Sequence, residues 1–449
     1  MRQFRRGELR LCSFFVLGVS LFLSSAGARS ADVSAATAQA PASGSGTTQQ
    51  AKGLTLDETV RIALENHSSV KSAHYQIGAQ DAVVHQQMAA YYPTINFTNT
   101  YRTANSGGSS SNASKGLDFF TSAGSVSMTL YNFGKREGAV QSARDTLEAT
   151  RYAYNTTANN IVLAAKQAYY GVLQANALLR VNEETVRDRE ETLRQTQGFY
   201  DVGTKPRSDV TQAQANLYLA QANLILARNG VDVAWASLRN AMGVDDFPSQ
   251  PLAEELAVTP FTLSLDEAKG AAFSARPELL QFAALRGAQD QLIAVARRNH
   301  LPDFVFSSSY GRQGITGELP HNNWQVQLSL NIPIFNGFQT TYQVQQALFN
   351  YHSIKEQERV ERQQVALQVE QSFLNLNATR EAVKANEAAV KAAKENLELH
   401  EGRYQVGYAP IIEVTDAQTT YTTAQTNYVN ALVAYKVAMA QLLNAIGRQ

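Results

Sequence analysis

The residue types that do chemistry are sparse in this 449-residue chain, and their spacing is not that of a reaction centre. No His-Glu-x-x-His, Cys-x-x-Cys or Gly-x-x-x-x-Gly-Lys-Ser/Thr pattern occurs, so the minimal residues of a zinc hydrolase, a thiol redox centre and a phosphate loop are missing. The seven histidines are scattered, and His67, His74 and His85 share one early helix without the four-residue spacing of a ligand pair. Gly44-Ser45-Gly46 lies in a low-complexity leader and carries no weight. One carboxylate pair has useful geometry: Glu413 and Asp416, three apart on a predicted helix, share a face. In a single chain that face is by default a solvated one near a turn. Enzymatic activity, a cofactor and a resident metal are therefore not expected.

The elements that hold those carboxylates are written twice. Gly198-Phe199-Tyr200-Asp201-Val202-Gly203-Thr204-Lys205-Pro206 returns 204 positions later as Gly402-Arg403-Tyr404-Gln405-Val406-Gly407-Tyr408-Ala409-Pro410. Over seventeen positions, 198–214 against 402–418, nine residues are identical, which marks an internal duplication. Upstream, Gly78-Ala79-Gln80-Asp81 matches Gly287-Ala288-Gln289-Asp290, and downstream Asn240-Ala241-Met242-Gly243 matches Asn444-Ala445-Ile446-Gly447. Two structural repeats follow, 54–243 and 261–447, joined by a Pro-marked linker, 244–260.

Arg2, Arg5, Arg6 and Arg10 precede an apolar run, Leu11 to Leu23, that ends in Ala26-Gly27-Ala28. Residues 1–28 therefore read as a signal peptide, too short to span a bilayer. Its removal takes away Cys12, the only cysteine, and with it any disulfide, thiol chemistry or lipidation at cysteine. Residues 29–53, rich in Ala, Ser, Thr and Gln, read as a flexible leader. Lys plus Arg equals Asp plus Glu, 39 each, so no basic face argues for nucleic acid.

Ala139 to Gln197 and Thr341 to Glu401 contain no proline and little glycine, which permits helices of about 60 residues or 90 Å. Small apolar residues recur at three- and four-residue steps, as in Val162, Ala165, Ala168, Tyr169, Val172 and Ala175, the pattern of a helix burying a narrow stripe against other helices. Shorter partners run from about Ser208 to Met242 and Glu413 to Ile446. Each Tyr-x-Val-Gly lies between a long and a short helix, where glycine can adopt the left-handed conformation that ends a helix.

Four segments keep the other period. Ser125 to Leu130 and Trp324 to Ile332 alternate apolar and polar residues, and each is preceded by a partner, Thr94 to Tyr101 and Phe304 to Tyr310. Strands are expected at about 94–103, 119–132, 303–311 and 323–334, with loops at Ala104 to Lys115 and Arg312 to Asn322. Their length suits a tilted membrane strand. Aromatic residues bracket them: Tyr91, Tyr92, Tyr131, Phe133 and Phe335 at one end, Phe119, Phe120 and Trp324 at the other. Sheet edges cannot face lipid, and four strands are too few to close, so closure needs several identical chains.

The duplicated helix-strand-strand-helix-helix plan, with its two Tyr-x-Val-Gly tips, resembles the trimeric outer-membrane efflux ducts of the TolC type over nearly the whole mature chain. The resemblance implies a mainly α fold with a small β part: a long α-helical coiled-coil barrel plus a four-strand contribution to a trimeric 12-stranded transmembrane β-barrel. It also implies an outer-membrane location with a large periplasmic helical part in a Gram-negative bacterium. The implied partners are a homotrimer, a periplasmic adaptor, an inner-membrane pump and outer-membrane lipid, serving efflux or type I secretion. By the same resemblance Glu413 and Asp416 ring the periplasmic aperture, Tyr404 helps hold it shut, and Ser208 and Asp209 join that latch. Val202, Gly203, Thr204, Val406, Gly407 and Tyr408 match adaptor-docking tips. Where the family latch carries an arginine, this chain has Ala409, with Lys205 and Arg207 on the first tip as possible substitutes. The alternative from another class is a periplasmic coiled-coil scaffold without a pore.

Overall fold

The structure, a computed structural model, describes residues 53–104, 117–253, 256, 261–315 and 319–448. The expected signal peptide, all but the last residue of the leader and the first hairpin loop lie outside the described residues, as does part of the linker. The first repeat contains helices α1 (Leu56–Asn66) and α2 (Ser68–Met88), strands β1 (Thr94–Ala104) and β2 (Leu117–Tyr131), then helices α3 (Lys135–Asp201) and α4 (Arg207–Met242). The second repeats the order with α5 (Leu265–Ala275), α6 (Pro277–Arg298), β3 (Asp303–Ile315), β4 (His321–Asn331), α7 (Gln339–Gln405) and α8 (Ile411–Ala445).

Helices α3 and α7 each contain 67 residues, about 100 Å of continuous helix. α3 outruns the sequence expectation by about a turn at each end, since nothing in Lys135–Glu137 or Gly198–Asp201 interrupts the backbone ladder, and α7 begins two residues before Thr341 and ends four after Glu401. The shorter helices are fixed by their caps. Thr55 accepts from the amide of Glu58 at the start of α1, Ser264 and Glu267 form a reciprocal capping box on α5, and Pro277 opens α6.

Packing uses the long helices as rails. Towards the strands α3 packs against α2 and α6, and α7 against α6; towards the tips α3 packs on α4 and α8, and α7 on α8. Two apolar clusters sit where the rails meet the short helices. One gathers Tyr169, Val172, Trp235, Leu238 and Met242, the other Val365, Val369, Tyr435, Leu442 and Ile446. Leu238 and Met242 recur at the 204-residue offset as Leu442 and Ile446, all four fully buried. The linker is stitched to the chain's entry by a parallel bridge between Leu54 and Leu252, and the Tyr169 hydroxyl donates to the Leu54 carbonyl at 3.0 Å.

The sheet is antiparallel in the order β1-β2-β3-β4, so β1 and β4 are its edges. Its register separates two faces. Ile95, Val126, Ser308 and Val326 are cross-strand neighbours, as are Met128, Phe306 and Leu328; the alternate positions carry Asn96, Ser125, Ser309 and Gln325. Three expectations are corrected. Arg312 to Asn322 is not all loop, because β3 continues to Ile315 against the 15-residue β2, which still offers it backbone partners. β4 ends at Asn331 rather than 334, leaving Ile332 to Ile334 beyond the ladder. Phe119 does not stand with Phe120: it pairs with Arg102 while Phe120 pairs with Tyr101, so the two rings leave opposite faces. Among the described residues no helix is long and apolar enough to cross a membrane.

Candidate pore entrance at the helix tips

Where α3 turns into α4 and α7 into α8, the repeated motif makes the same Schellman turn. At the first tip Gly203 has φ +76°, its amide donates to the Tyr200 carbonyl at 2.9 Å and the Thr204 amide to the Phe199 carbonyl at 2.9 Å. At the second, Gly407 has φ +83°, with the equivalent bonds to Tyr404 at 3.1 Å and from Tyr408 to Arg403 at 2.8 Å. Glycine supplies the left-handed residue, and the proline that follows, Pro206 or Pro410, caps the next helix. Val202, Gly203, Thr204, Val406, Gly407 and Tyr408 are consequently all exposed at the extremity of a hairpin.

Tyr404 sits elsewhere than at that extremity. It is 3% exposed and packs with Ala409, Ile411 and Val414. The Phe199 ring meets it edge-on at 5.9 Å, and the Lys205 ammonium lies 4.5 Å over its face. Burial pushes its phenol pKa up, against the opposing influence of the neighbouring Thr196 hydroxyl, to which its own buried hydroxyl makes no well-formed hydrogen bond. Asp209, at the start of α4, is near enough to act electrostatically on Tyr404; Ser208 next to it is exposed, its Oγ donating to Asp209 at 3.4 Å. Of the two proposed substitutes for the missing arginine, Lys205 faces Tyr404, whereas Arg207 is exposed.

Glu413 and Asp416 share α8 but not a state. The Glu413 carboxylate is held against α7 by His400 Nδ1 at 3.1 Å and by an Arg403 guanidinium nitrogen at 3.4 Å, both on the same oxygen. Asp416, one turn on, is exposed, and among the described residues no ion pair reaches it. His400 and Arg403 were not picked out from sequence; the only signal was Arg403 standing where the first tip has Phe199.

Behind the tips runs a polar seam between α3 and α8 that sequence reading also missed. Arg189, 7% exposed, donates to the Gln418 side-chain oxygen and to Thr419 Oγ1, and Gln418 in turn donates to Thr192 Oγ1 at 2.8 Å. Thr185 with Thr422 and Gln174 with Asn430 extend the seam. Glu401 approaches Gln418 at 3.5 Å, and burial holds its carboxyl above the usual carboxylate range. The α3/α4 contact beside it is apolar, built from Val186, Leu193, Leu217, Ala220 and Leu224. Polar residues at helical spacing look like solvated face until the opposing helix is known, which is why the seam was illegible.

Two 67-residue helices, each turned at an exposed tip, together with a two-faced antiparallel sheet, define a helical duct protein with a small strand part. The comparisons agree. The family model for outer membrane efflux protein matches residues 59–244 and 270–448, and the chain belongs to that family. It is similar to the outer membrane protein TolC of Vibrio cholerae, with 27% identity over 403 residues, covering 87% of this chain and 90% of that protein. Its fold is similar to that of CusC, with a TM-score of 0.76 at 18% identity, covering 88% of this chain and 92% of that one. The CmeC outer membrane channel of Campylobacter jejuni gives a TM-score of 0.74 at 16% identity over 87% and 85% of the two chains. The protein is an outer-membrane efflux duct with a large periplasmic helical part.

Proposed function

We propose that three copies of this chain close a 12-stranded barrel in the outer membrane, continued by a helical tunnel whose entrance is formed by the tips. The observation that carries this reading is the sheet: β1 and β4 are unpaired edges, one face is apolar with Ile95, Phe97, Val326, Leu328 and Leu330 exposed, and the other is polar. Backbone edges cannot stay open in lipid, and three sets of four strands close them. The helices support association with neighbouring copies. Leu219, Leu226 and Val233 on α4 and Val360, Leu367 and Leu374 on α7 are exposed apolar stripes at seven-residue steps, the spacing of a left-handed supercoil seam between neighbouring helices.

In this trimer Glu413 and Asp416 contribute to the ring at the aperture, and Tyr404, with Ser208 and Asp209, keeps the entrance closed. Val202, Gly203, Thr204, Val406, Gly407 and Tyr408 form the surface for a periplasmic adaptor, which joins the duct to an inner-membrane pump that supplies the energy. Planar-bilayer recording from purified trimers tests the reading. A small cation-selective conductance is expected, with selectivity lost in Glu413→Gln plus Asp416→Asn; well-folded trimers that never conduct, with or without tip mutations, sink it in favour of a scaffold.

A further inference from the structure

We propose that Arg403 sets the ion selectivity of the entrance by offsetting the charge of Glu413, which leaves Asp416 as the carboxylate whose field a permeating ion meets. The inference rests on the entrance reading above and adds a specificity-determining residue to it. Arg403 lies on the last turn of α7 and Glu413 on the first turn of α8, so the 3.4 Å contact is local to one protomer. His400 Nδ1, 3.1 Å from the same carboxylate oxygen, fixes the rotamer in which Glu413 leans back on α7. With a neutral imidazole, Glu413, Asp416 and Arg403 together carry one net negative charge, where the bare carboxylate pair would carry two. Round a trimeric ring that halves the fixed charge.

Salt does not undo the offset: the two charges stand 3.4 Å apart, well inside the Debye length of about 8 Å at physiological salt, so a passing ion meets their sum rather than a bare carboxylate. It also belongs to the second tip alone. At the first tip the position of Arg403 is Phe199, the position of Glu413 is Asp209, and the position of Asp416 is the uncharged Gln212. The tip without the carboxylate pair also lacks an arginine at that position, its cations, Lys205 and Arg207, standing elsewhere on the turn. Stability is not the purpose of the contact, since an ion pair this exposed, with side-chain accessibilities of 53% and 36%, contributes little to folding.

Reversal potentials across a salt gradient test the offset in purified full-length trimers. Arg403→Gln is expected to raise the cation-to-anion permeability ratio severalfold, Glu413→Gln to lower it, and the two together to return it to the parent value, because the net charge is then restored. Arg403→Lys, which keeps the charge and loses the geometry, should keep the parent ratio. An unchanged ratio in Arg403→Gln, while Glu413→Gln plus Asp416→Asn abolishes selectivity, overturns the offset and leaves the ring standing. Unchanged selectivity in that carboxylate double variant removes the ring and the offset together. Should Arg403→Gln assemble poorly, the compensated pair still decides: a ratio equal to that of Glu413→Gln alone, instead of the parent's, overturns the offset.

Discussion

At residues 198–206 and 402–410 the chain makes one turn twice, with the same glycine conformation, the same two backbone bonds and the same proline after it. Yet Tyr200 is 40% exposed and its counterpart Tyr404 is 3% exposed. The difference comes from the positions that were not repeated. After Pro410 the chain continues Ile411-Ile412, and Ile411 folds under the tip with Val414; after Pro206 it continues Arg207-Ser208, and both stay in solvent. Lys205, the counterpart of the buried Ala409, reaches across to the Tyr404 ring, and Phe199, the counterpart of Arg403, leans on the same ring. Both hairpins therefore serve the core of the second tip. The motif specifies a backbone turn, and its neighbours decide whether that turn acquires a core.

Truncating the two tyrosines separates the tips most sharply. Tyr404→Ala removes a buried aromatic ring and leaves its cavity, a change that costs about 3–5 kcal/mol in well-packed sites, and should release protection from hydrogen exchange across 403–418. Tyr200→Ala takes away a half-exposed ring and should leave 199–214 within about 0.5 kcal/mol of the parent. Equal losses at both tips would mean that the assembled duct buries Tyr200 as deeply as Tyr404, and the contrast would vanish.

Glycine substitution asks the opposite question, whether the backbones are as alike as their dihedral angles. No atom lies within 4 Å of a Cβ placed at Gly203 or Gly407, so the penalty for alanine is conformational alone. Forcing a side chain into the left-handed region costs roughly 1–2 kcal/mol. Gly203→Ala and Gly407→Ala should therefore shift denaturation of the local hairpins by equal amounts. A clearly larger loss at Gly407 would show that the core under the second tip also restrains its turn.

Much of this was legible before any coordinates. The long helices announced themselves by 60-residue stretches without proline, the tips by Tyr-x-Val-Gly-x-x-Pro, and the strands by alternation, because each signal is local and its physics acts within a few residues. The hairpin partners were legible too, because they are neighbours in sequence. Phe119 and Phe120, adjacent in β2, must leave opposite faces, but only the pairing of Phe120 with Tyr101 shows which of them joins the apolar face. What failed were contacts with elements that lie opposite in space but far away in the chain. Glu413 and Asp416 looked like a matched pair until α7 brought His400 and Arg403 to one of them. Arg189 and Gln418, 229 residues apart, carry no signal of their contact in either neighbourhood.

The smallest predicted effect bears on why the buried residue of the second tip is tyrosine. Its hydroxyl makes no well-formed hydrogen bond within the protomer, Thr196 being close enough to influence it but poorly aligned, and a buried hydroxyl so placed contributes desolvation cost with little bonding in return. Tyr404→Phe keeps the ring, the edge-on contact with Phe199 and the cation above its face, and removes only that cost. Within one protomer the variant should match or slightly exceed the parent in stability, by no more than about 1 kcal/mol. If the ring alone holds the entrance shut, closed-state conductance stays at the parent value as well. A conductance that rises in Tyr404→Phe while tip protection from exchange is unchanged would mean that the oxygen finds its partner across the subunit boundary, and that the second tip is finished by its neighbour in a way the first tip is not.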